Sequence, residues 1–318
     1  MKILVTGAAG FIGSTLAKQL LSRGDEILGV DNFNPYYSVA QKRSNAASLA
    51  EFNNFKLSEI DFTDYRALSN AFENFQPDVV AHLGAMANIR YSIDHPEQFV
   101  SVNVTGTNNL LMLAAKYNVK NFIYASTGSI YGKRDDVPFR ETDICDSPLA
   151  VYPASKKAGE LLGHAFYNMQ GLNFTSLRFF NVYGPSGRPD MMPFRVTEAI
   201  LNQTEIPIFG EGKLERDWTY VGDLVNGFVA AIDKPLGFEI INLGRGNPIA
   251  LNDFMITIQD VIGQKAIRKD VEAPLSEAPR TYADISKAGE LLGYQPTIDL
   301  REGLEGFWEW YQVAFAVS

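Results

Sequence analysis

The chain has 318 residues, of which 46% are hydrophobic, and its formal net charge is -9. This composition is typical of a globular protein with a large core, and the negative charge argues against a nucleic-acid-binding protein, because phosphate contacts need clustered lysine and arginine. The single cysteine, Cys145, excludes an internal disulfide framework. Because no run of 18 uncharged apolar residues and no secretion signal is found, we expect a cytoplasmic protein that does not enter a membrane.

Short apolar runs alternate with longer, helix-like segments along the first 180 residues or so. This alternation predicts an α/β fold, a Rossmann-like doubly wound parallel sheet with a smaller C-terminal α/β substrate-binding domain. We expect the domain that contains this sheet over residues 1–181, with a return segment at about 217–246, and a cap over residues 182–216 and 247–318. The predicted strands are Lys2 to Thr6, Glu26 to Val30, Phe55 to Ile60, Val79 to Leu83, Phe122 to Ala125 and Phe174 to Phe179.

The first predicted strand runs into a glycine-rich turn, GAAGFIG, which precedes a helix-like segment. Gly7 permits a tight turn, Gly10 lets backbone amides approach a pyrophosphate, and Gly13 allows close helix packing. Asp31 follows the second predicted strand, where its carboxylate can bind both ribose hydroxyls of NAD and repel a 2′-phosphate. The order of strand, turn, helix and acid favours NAD binding over a glycine turn without a nucleotide.

The predicted strand that starts at Phe122 is followed by Ser126, Thr127, Gly128 and Ser129. In an open α/β sheet, ligands bind at the carboxyl ends of the strands. The hydroxyl groups are therefore candidates for ligand binding. The simpler alternative is that they only cap the end of the strand.

The segment VYPASKK contains a second candidate for chemistry. If Pro153 occupies the first turn of a helix, Tyr152 and Lys156 lie one turn apart on the same face. A nearby ammonium and a positive nicotinamide ring would both favour the tyrosine phenolate, and hence its action as a base. Tyrosine and lysine occur at this spacing by chance on many helices, so the pair is informative only together with the dinucleotide motif.

These motifs, with the segments NVTGT and YPASK, resemble the extended short-chain dehydrogenase/reductase family of sugar-nucleotide epimerases, dehydratases and decarboxylases. The resemblance covers nearly the whole chain. The segments DNFNPYY, GPSGRPDM and RDWTYVGDL are most similar to members that epimerise UDP-glucuronate at C4. The resemblance implies that Tyr152 takes the proton of the sugar 4-hydroxyl, that Lys156 supports Tyr152, and that Thr127 forms a hydrogen bond with O4. It also implies that hydride passes from C4 to a tightly held NAD and then returns.

The resemblance also implies the residues that contact the cofactor and the UDP-sugar. The expected cofactor contacts are Gly7, Gly10, Phe11, Ile12, Gly13, Asp31, Asn32, Asp61, Phe62, Leu83, Gly84, Ala85, Asn103, Ser126, Tyr152, Lys156 and Phe180. The expected substrate contacts are Arg90, Thr127, Gly128, Ser129, Tyr152, Asn181, Arg188, Phe209, Arg216 and Glu277.

Two positions after the catalytic threonine separate the reactions of this family. Its dehydratases carry Asp-Glu there, and its decarboxylases carry a glutamate at the second position, whereas this chain has Gly128 and Ser129. The Ser129 hydroxyl is suited to hold a substrate carboxylate by a charge-assisted hydrogen bond. Such a restraint matters because a 4-keto uronate is a β-keto acid, which loses carbon dioxide when its carboxylate bond aligns with the carbonyl π system.

For the UDP half, arginine suits a diphosphate because its planar fork offers paired donors. Arg188 is thus a predicted anion ligand, and Phe209 is predicted to stack on uracil, with a place in the core as the alternative. Arg90 can face the sugar or form a surface salt bridge. The family usually has Pro-Gly-Asp where residues 275–277 read Leu-Ser-Glu, so Glu277 stands for the aspartate that faces the uridine ribose.

Several charged and histidine side chains have simpler interpretations. We interpret Lys42 and Arg43 as solvated helix charges, although they weaken the preference for NAD over NADP. His82, His95 and His164 show no metal-ligand spacing, so no metal site is expected.

The predicted helices at residues 98–117 and 154–169 have apolar positions on more than one face. The resemblance implies that they pair with a second subunit in a homodimer, and internal packing is the alternative.

Three further functions remain open. They are C4 epimerisation of a neutral UDP-hexose or UDP-N-acetylhexosamine, decarboxylation of UDP-glucuronate, and nucleotide sensing without catalysis.

Overall fold

The computed structural model describes residues 1–274 and 277–316, and Leu275 and Ser276 lie outside the described residues. The strands are β1 (Lys2–Thr6), β2 (Glu26–Val30), β3 (Phe55–Ser58), β4 (Val79–His82), β5 (Asn121–Thr127), β6 (Phe174–Phe179), β7 (Val182–Tyr183), β8 (Glu205–Phe209), β9 (Glu215–Asp217), β10 (Thr219–Tyr220), β11 (Phe238–Leu243), β12 (Pro248–Ala250), β13 (Ile267–Val271) and β14 (Arg280–Thr281). The α-helices are α1 (Phe11–Arg23), α2 (Val39–Leu49), α3 (Tyr65–Phe75), α4 (Tyr91–Asp94), α5 (Pro96–Phe99), α6 (Thr107–Lys116), α7 (Val151–Gln170), α8 (Met192–Leu201), α9 (Val221–Asp233), α10 (Leu251–Ile262), α11 (Ser286–Leu292) and α12 (Leu300–Phe315). None of these helices is long and apolar enough to cross a membrane.

A seven-stranded sheet forms the centre of the larger lobe, in the order β11-β6-β5-β4-β1-β2-β3. All neighbouring strands are parallel. β5 is buried along its whole length, which explains its near-continuous apolar sequence. The chain reverses its direction of progress across the sheet between β1 and β4, where doubly wound sheets bind their ligands. The predicted Rossmann-like fold is confirmed.

The predicted strands lie where the sequence placed them, with small differences at their ends. β3 ends at Ser58 and β4 at His82, both earlier than predicted. β5 continues through Ser126 and Thr127, so these two hydroxyl residues belong to the carboxyl end of the strand itself. Ser129 follows in a 3₁₀ turn, Gly128–Tyr131.

Helix α7 packs closely on the central sheet, and two of its glycines explain why. A Cβ atom on Gly159 would lie 2.2 Å from the Tyr124 hydroxyl, and one on Gly163 would lie 2.3 Å from the Phe174 ring. Both ring-bearing residues lie in strands of the sheet, β5 and β6. The close approach brings the first turn of α7 to the carboxyl ends of these strands. Pro153 lies in that first turn, as predicted.

The predicted helix at 98–117 is divided in the structure. Helix α5 ends at Phe99, a π-helical segment spans Val100–Gly106, and α6 follows. The wider π-helical turn contains Asn103, which the sequence predicts to contact the cofactor. Such interruptions are frequent at functional sites.

The smaller lobe contains three short sheets, β10-β7, β12-β9-β14 and β13-β8. Helices α8, α10 and α12 pack around a core that includes Trp218 stacked on Phe254. The buried Asp217 carboxylate connects β9 to the segments that follow β11 and β14, because it accepts hydrogen bonds from the backbone N–H groups of Arg245, Gly246 and Ala283. The proposed domain boundaries remain a prediction.

Candidate active site

A cavity of 480 Å³ runs along the carboxyl ends of the central strands toward the smaller lobe. Most of the predicted site residues line it. They are Gly7, Gly10, Phe11, Ile12, Gly13, Asp31, Asn32, Asp61, Phe62, Leu83, Gly84, Ala85, Ser126, Thr127, Gly128, Ser129, Tyr152, Lys156, Phe180, Asn181, Arg188, Arg216 and Glu277. Three others, Asn103, Arg90 and Phe209, do not line the cavity.

The glycine turn forms one end of this cavity. Gly7 has φ 68°, in the left-handed region that favours glycine, and a Cβ atom on Gly13 would lie 2.0 Å from the Gly7 carbonyl oxygen. The N-cap of α1 is Gly10, which has no side chain to cap the helix, and the first turn contains no acidic residue. This helix start can therefore accept an anion, as a pyrophosphate site requires.

Asp31 is held in place by two backbone donors. Its Oδ2 accepts a hydrogen bond from the Ala9 N–H at 3.1 Å, and its Oδ1 accepts one from the Phe33 N–H at 2.9 Å. The carboxylate retains lone pairs toward the cavity, because each oxygen can accept more than one hydrogen bond. This arrangement fits the two hydroxyls of an adenosine ribose.

Lys42 is not the solvated helix charge that the sequence suggests. Only 6% of the residue is exposed, its Nζ donates to the Asn34 carbonyl at 2.7 Å, and it lies 4.4 Å from the centre of the Tyr37 ring. Burial lowers its pKa, while the charge of Asp31 acts in the opposite direction. The sequence missed this burial because the residues that cover Lys42 come from an irregular loop.

Arg43, by contrast, is exposed and pairs with Glu59, as expected of a surface charge. Its guanidinium carbon also lies 3.5 Å from the centre of the Phe33 ring. Adjacent basic residues of one helix thus have different environments.

Asn103 lies behind the cavity wall. Its amide oxygen accepts from the Met86 N–H, and its amide nitrogen donates to the Met86 carbonyl, each at 2.9 Å. The amide nitrogen also donates to the Ser155 hydroxyl at 2.9 Å, and that hydroxyl donates to the carbonyl of Tyr152. Asn103 therefore connects the loop after β4 to the first turn of α7, and in this structure it supports the site from behind.

The hydroxyl residues after β5 form a short hydrogen-bonded chain. Thr127 Oγ1 donates to Ser129 Oγ at 3.1 Å and accepts from the Ser129 N–H at 3.1 Å. Between them, Gly128 leaves room for an aromatic ring, because a Cβ atom there would lie 2.9 Å from Phe180. The hydroxyls cap the strand end and also line the cavity, so the two interpretations of the sequence are compatible.

Tyr152 and Lys156 lie at the same end of the cavity. Burial raises the pKa of Tyr152, whereas a hydrogen bond with Thr127 and the charge of Arg188 act in the opposite direction. Burial also lowers the pKa of Lys156 to about 7, against the charge of Glu160, and its Nζ lies 4.2 Å from the centre of the Tyr124 ring. The lysine is thus a desolvated ammonium whose protonation changes near neutral pH.

A buried ion pair lies directly beneath these residues. Arg178 Nε and Nη2 donate to the two carboxylate oxygens of Glu160 at 2.9 and 2.8 Å, and both side chains are 1% exposed. The Ser126 hydroxyl donates to the same carboxylate at 2.8 Å, and the Tyr131 hydroxyl accepts from Arg178 at 2.8 Å. Because all these charged groups have partners, the pair fixes the end of β5 against α7. The sequence did not identify this pair.

Arg188 was predicted to bind an anion, but here it is already paired. Its Nε donates to Asp190 at 2.9 Å, and its Nη2 donates to the Ala87 carbonyl at 2.7 Å and to Asp190 at 3.0 Å. Asp190 also accepts from Tyr36 and Asn88, each at 2.9 Å. The motif GRPDM thus ties three loops together around the cavity.

At the opposite end of the cavity, four predicted substrate contacts come together. Glu277 accepts hydrogen bonds from Arg90 at 2.9 Å and from Arg216 at 2.7 Å. The guanidinium of Arg90 lies 4.6 Å from the centre of the Phe209 ring. In the structure Arg90 forms a salt bridge, which is one of the two alternatives predicted for it.

Some residues of the cavity wall were not among the site residues predicted from the sequence. Thr281 is one, and its buried hydroxyl has no hydrogen-bond partner among the residues that the structure describes. Met191 and Ala278 also contribute to the wall. Thr281 lies in the two-residue strand β14, and Ala278 lies in an irregular segment; neither setting has a periodicity that predicts which side chains turn inward. Tyr37, the last residue of the motif DNFNPYY, also lines the cavity.

Comparisons with known proteins agree with this arrangement. The model of the NAD dependent epimerase/dehydratase family matches residues 3–244, well over half of the chain. The chain belongs to this family. It is 43% identical over 308 residues to a UDP-glucuronate 4-epimerase of Thermodesulfobacterium geofontis, covering 96% of this chain and 95% of that protein. It is 37% identical over 330 residues to a probable UDP-glucuronate 4-epimerase of Rhizobium meliloti, covering 98% and 97%.

A solved structure is also similar along the whole chain. The UDP-glucuronic acid 4-epimerase of Bacillus cereus, in complex with UDP-glucuronic acid and NAD, superposes with a TM-score of 0.93. It is 34% identical in sequence, and the superposition covers 99% of this chain and 100% of that one. The family member described here thus has the fold of an enzyme that holds both a dinucleotide and a UDP-sugar.

Proposed function

We propose that the protein is an NAD-dependent isomerase that inverts C4 of UDP-glucuronate to give UDP-galacturonate. One observation carries the proposal: the Tyr152–Lys156 pair and the Thr127 and Ser129 hydroxyls share one end of the cavity that contains the glycine turn. The absence of a carboxylate at positions 128 and 129 favours epimerisation over dehydration and decarboxylation. The likeness to an epimerase bound to UDP-glucuronic acid and NAD supports the choice of substrate.

The residues of the chain fit NAD as the cofactor. We assign the pyrophosphate to the N-terminus of α1, and the adenosine ribose to Asp31 with Lys42 beside it. When bound, NAD supplies the hydride acceptor and donor of the reaction. Because the hydride returns to the same carbon, no net oxidation occurs and no second substrate is needed.

Tyr152 is assigned as the base that takes the proton of the sugar 4-hydroxyl and later gives it back. In the protein alone, burial keeps the phenol protonated. The positive nicotinamide ring and the ammonium of Lys156 are assigned the role of favouring the phenolate, since opposite charges lower the pKa of an acid. Thr127 is assigned to O4, where its hydroxyl can share a hydrogen bond with Tyr152.

The carboxylate of the sugar is assigned to the Ser129 hydroxyl and to the Thr127 hydroxyl beside it. A charge-assisted hydrogen bond to Ser129 Oγ would restrain the carboxylate in the 4-keto intermediate. This restraint favours return of the hydride over loss of carbon dioxide.

We also propose that the protein works as a homodimer. The π-helical segment, α6 and α7 contact one another and leave apolar side chains exposed. Val100, Met112, Leu161 and Met169 are each at least 43% exposed. A second copy packed on this surface would bury them, and light scattering after size-exclusion chromatography would measure a mass twice that of the chain.

The proposed reaction is tested by incubation of the purified protein with UDP-glucuronate, with and without added NAD, followed by proton NMR. UDP-galacturonate without a pentose product is the expected result. A UDP-pentose would indicate decarboxylation. If a protein shown to contain NAD leaves UDP-glucuronate unchanged but interconverts UDP-glucose and UDP-galactose, the substrate is a neutral sugar and the proposal is wrong.

A further inference from the structure

Glu277 bridges two arginines at the end of the cavity that faces the smaller lobe. Its Oε1 accepts a hydrogen bond from Arg90 Nη2, and its Oε2 accepts one from Arg216 Nη2. Each carboxylate oxygen therefore pairs with a different guanidinium group. One side chain thus pairs with one terminal nitrogen of each arginine.

The three residues come from distant parts of the chain. Arg90 precedes α4 in the larger lobe, Arg216 lies in β9, and Glu277 precedes β14. Glu277 and Arg216 both line the cavity. The bridge therefore crosses from one lobe to the other where the nucleotide is expected to enter.

Positive charge is in excess around this bridge. Arg195, in α8, is near enough to Arg90 that burial and the charge of Arg90 both lower its pKa, while Asp190 acts in the opposite direction. One carboxylate thus serves two arginines, with a third cation nearby. Such a site attracts anions, and the paired donors of arginine match the oxygens of a diphosphate.

We propose that Glu277 is an internal counter-anion that UDP displaces, a role that rests on the proposed function. The diphosphate takes the guanidinium groups of Arg90 and Arg216. The freed carboxylate then accepts hydrogen bonds from the two ribose hydroxyls, for which it has enough lone pairs. Glu277 therefore selects ligands that carry both a diphosphate and a cis-diol.

The exposure of the pairs makes this exchange feasible. The side chains of Arg90 and Glu277 are 47% and 22% exposed, and that of Arg216 is 13% exposed. The Arg90–Glu277 pair is the more exposed of the two, and an ion pair that water reaches contributes little to stability, because water competes for both partners. A diphosphate, with more charge and more acceptor atoms than one carboxylate, is the stronger partner for two arginines.

The test is calorimetric binding of UDP, 2′-deoxy-UDP and inorganic pyrophosphate to the NAD-containing protein and to its Glu277→Gln variant. Pyrophosphate competes with Glu277 but cannot use the freed carboxylate, so the variant should bind it about tenfold more tightly. The wild type should bind UDP more tightly than 2′-deoxy-UDP. This preference should decrease several-fold in the variant.

Glu215→Gln is the matched control. Glu215 is adjacent to Arg216 in β9 but pairs with Arg280 and does not line the cavity, so this variant makes the same charge change nearby. It should leave pyrophosphate binding within about twofold of the wild type. If Glu277→Gln does not bind pyrophosphate more tightly, or if both variants bind it equally more tightly, Glu277 does not compete for the arginines.

These measurements require no turnover. If the protein fails to epimerise UDP-glucuronate, the proposed function is wrong, and the binding data still decide whether Glu277 is displaced. If epimerisation occurs but pyrophosphate binding is unchanged in Glu277→Gln, only the counter-anion proposal is wrong.

Discussion

Two arginine–carboxylate clusters lie near the cavity, but in opposite environments. Beneath Tyr152 and Lys156, Glu160 and Arg178 are 1% exposed and make hydrogen bonds with Ser126 and Tyr131. At the nucleotide end, the carboxylate of Glu277 is partly exposed and is shared by two arginines. The same chemistry thus serves as fixed support where geometry must be preserved, and as an exchangeable contact where a charged ligand must enter.

The largest effect is expected at the catalytic end of the cavity. Tyr152→Phe removes the proposed base, so epimerisation should decrease at least about 10³-fold. NAD content, measured by absorbance after denaturation, should stay close to that of the wild type, because the tyrosine is one of many contacts. A variant that retains activity would show that another group takes the proton.

The next largest effect is a difference in the free energy of unfolding between variants of the two clusters. Arg178→Met leaves the Glu160 charge buried without its main partner, so the free energy of unfolding should decrease by about 3–5 kcal/mol. Arg90→Met removes the more exposed partner of Glu277 and should decrease it by no more than about 1 kcal/mol. Urea unfolding of both variants measures the difference, and equal losses would contradict the distinction between fixed and exchangeable clusters.

The smallest effect concerns the pH dependence of stability. Burial lowers the pKa of Lys156 to about 7, below its unfolded-state value, so the folded protein binds fewer protons than the unfolded chain between about pH 7 and 10. Stability of the wild type should therefore rise with pH in this range, by about 1 kcal/mol per pH unit relative to Lys156→Met. A constant difference between the two NAD-free proteins from pH 6.5 to 9 would show that Lys156 is not desolvated.

The two ends also differ in how much of them the sequence could predict. The glycine turn, Asp31 and the Tyr152–Lys156 pair were predictable, because each depends on residues close in the chain and on the strand or helix that carries them. The bridge from Arg90 to Glu277 was not, because it joins residues 187 positions apart. A salt bridge was one of the two predictions for Arg90, but nothing in the sequence identified the partner of Arg90.

Two other residues show the same limit at shorter range. Lys42 was assigned to solvent because its helix is mostly polar, but a loop folds over it. Arg188 stays a predicted anion ligand, but the sequence did not indicate its ion pair with Asp190, only two residues away. Sequence patterns locate elements and motifs, but the partner of a charged side chain depends on tertiary packing.

The proposed reaction inverts C4 by removal and return of one hydride within the site. The most direct test is epimerisation of UDP-glucuronate labelled with deuterium at C4, followed by NMR and mass spectrometry of the products. We expect UDP-galacturonate that retains the deuterium at C4, because the same hydride returns to the sugar. Replacement of the deuterium by solvent hydrogen would show that C4 is inverted by proton exchange and not by hydride transfer.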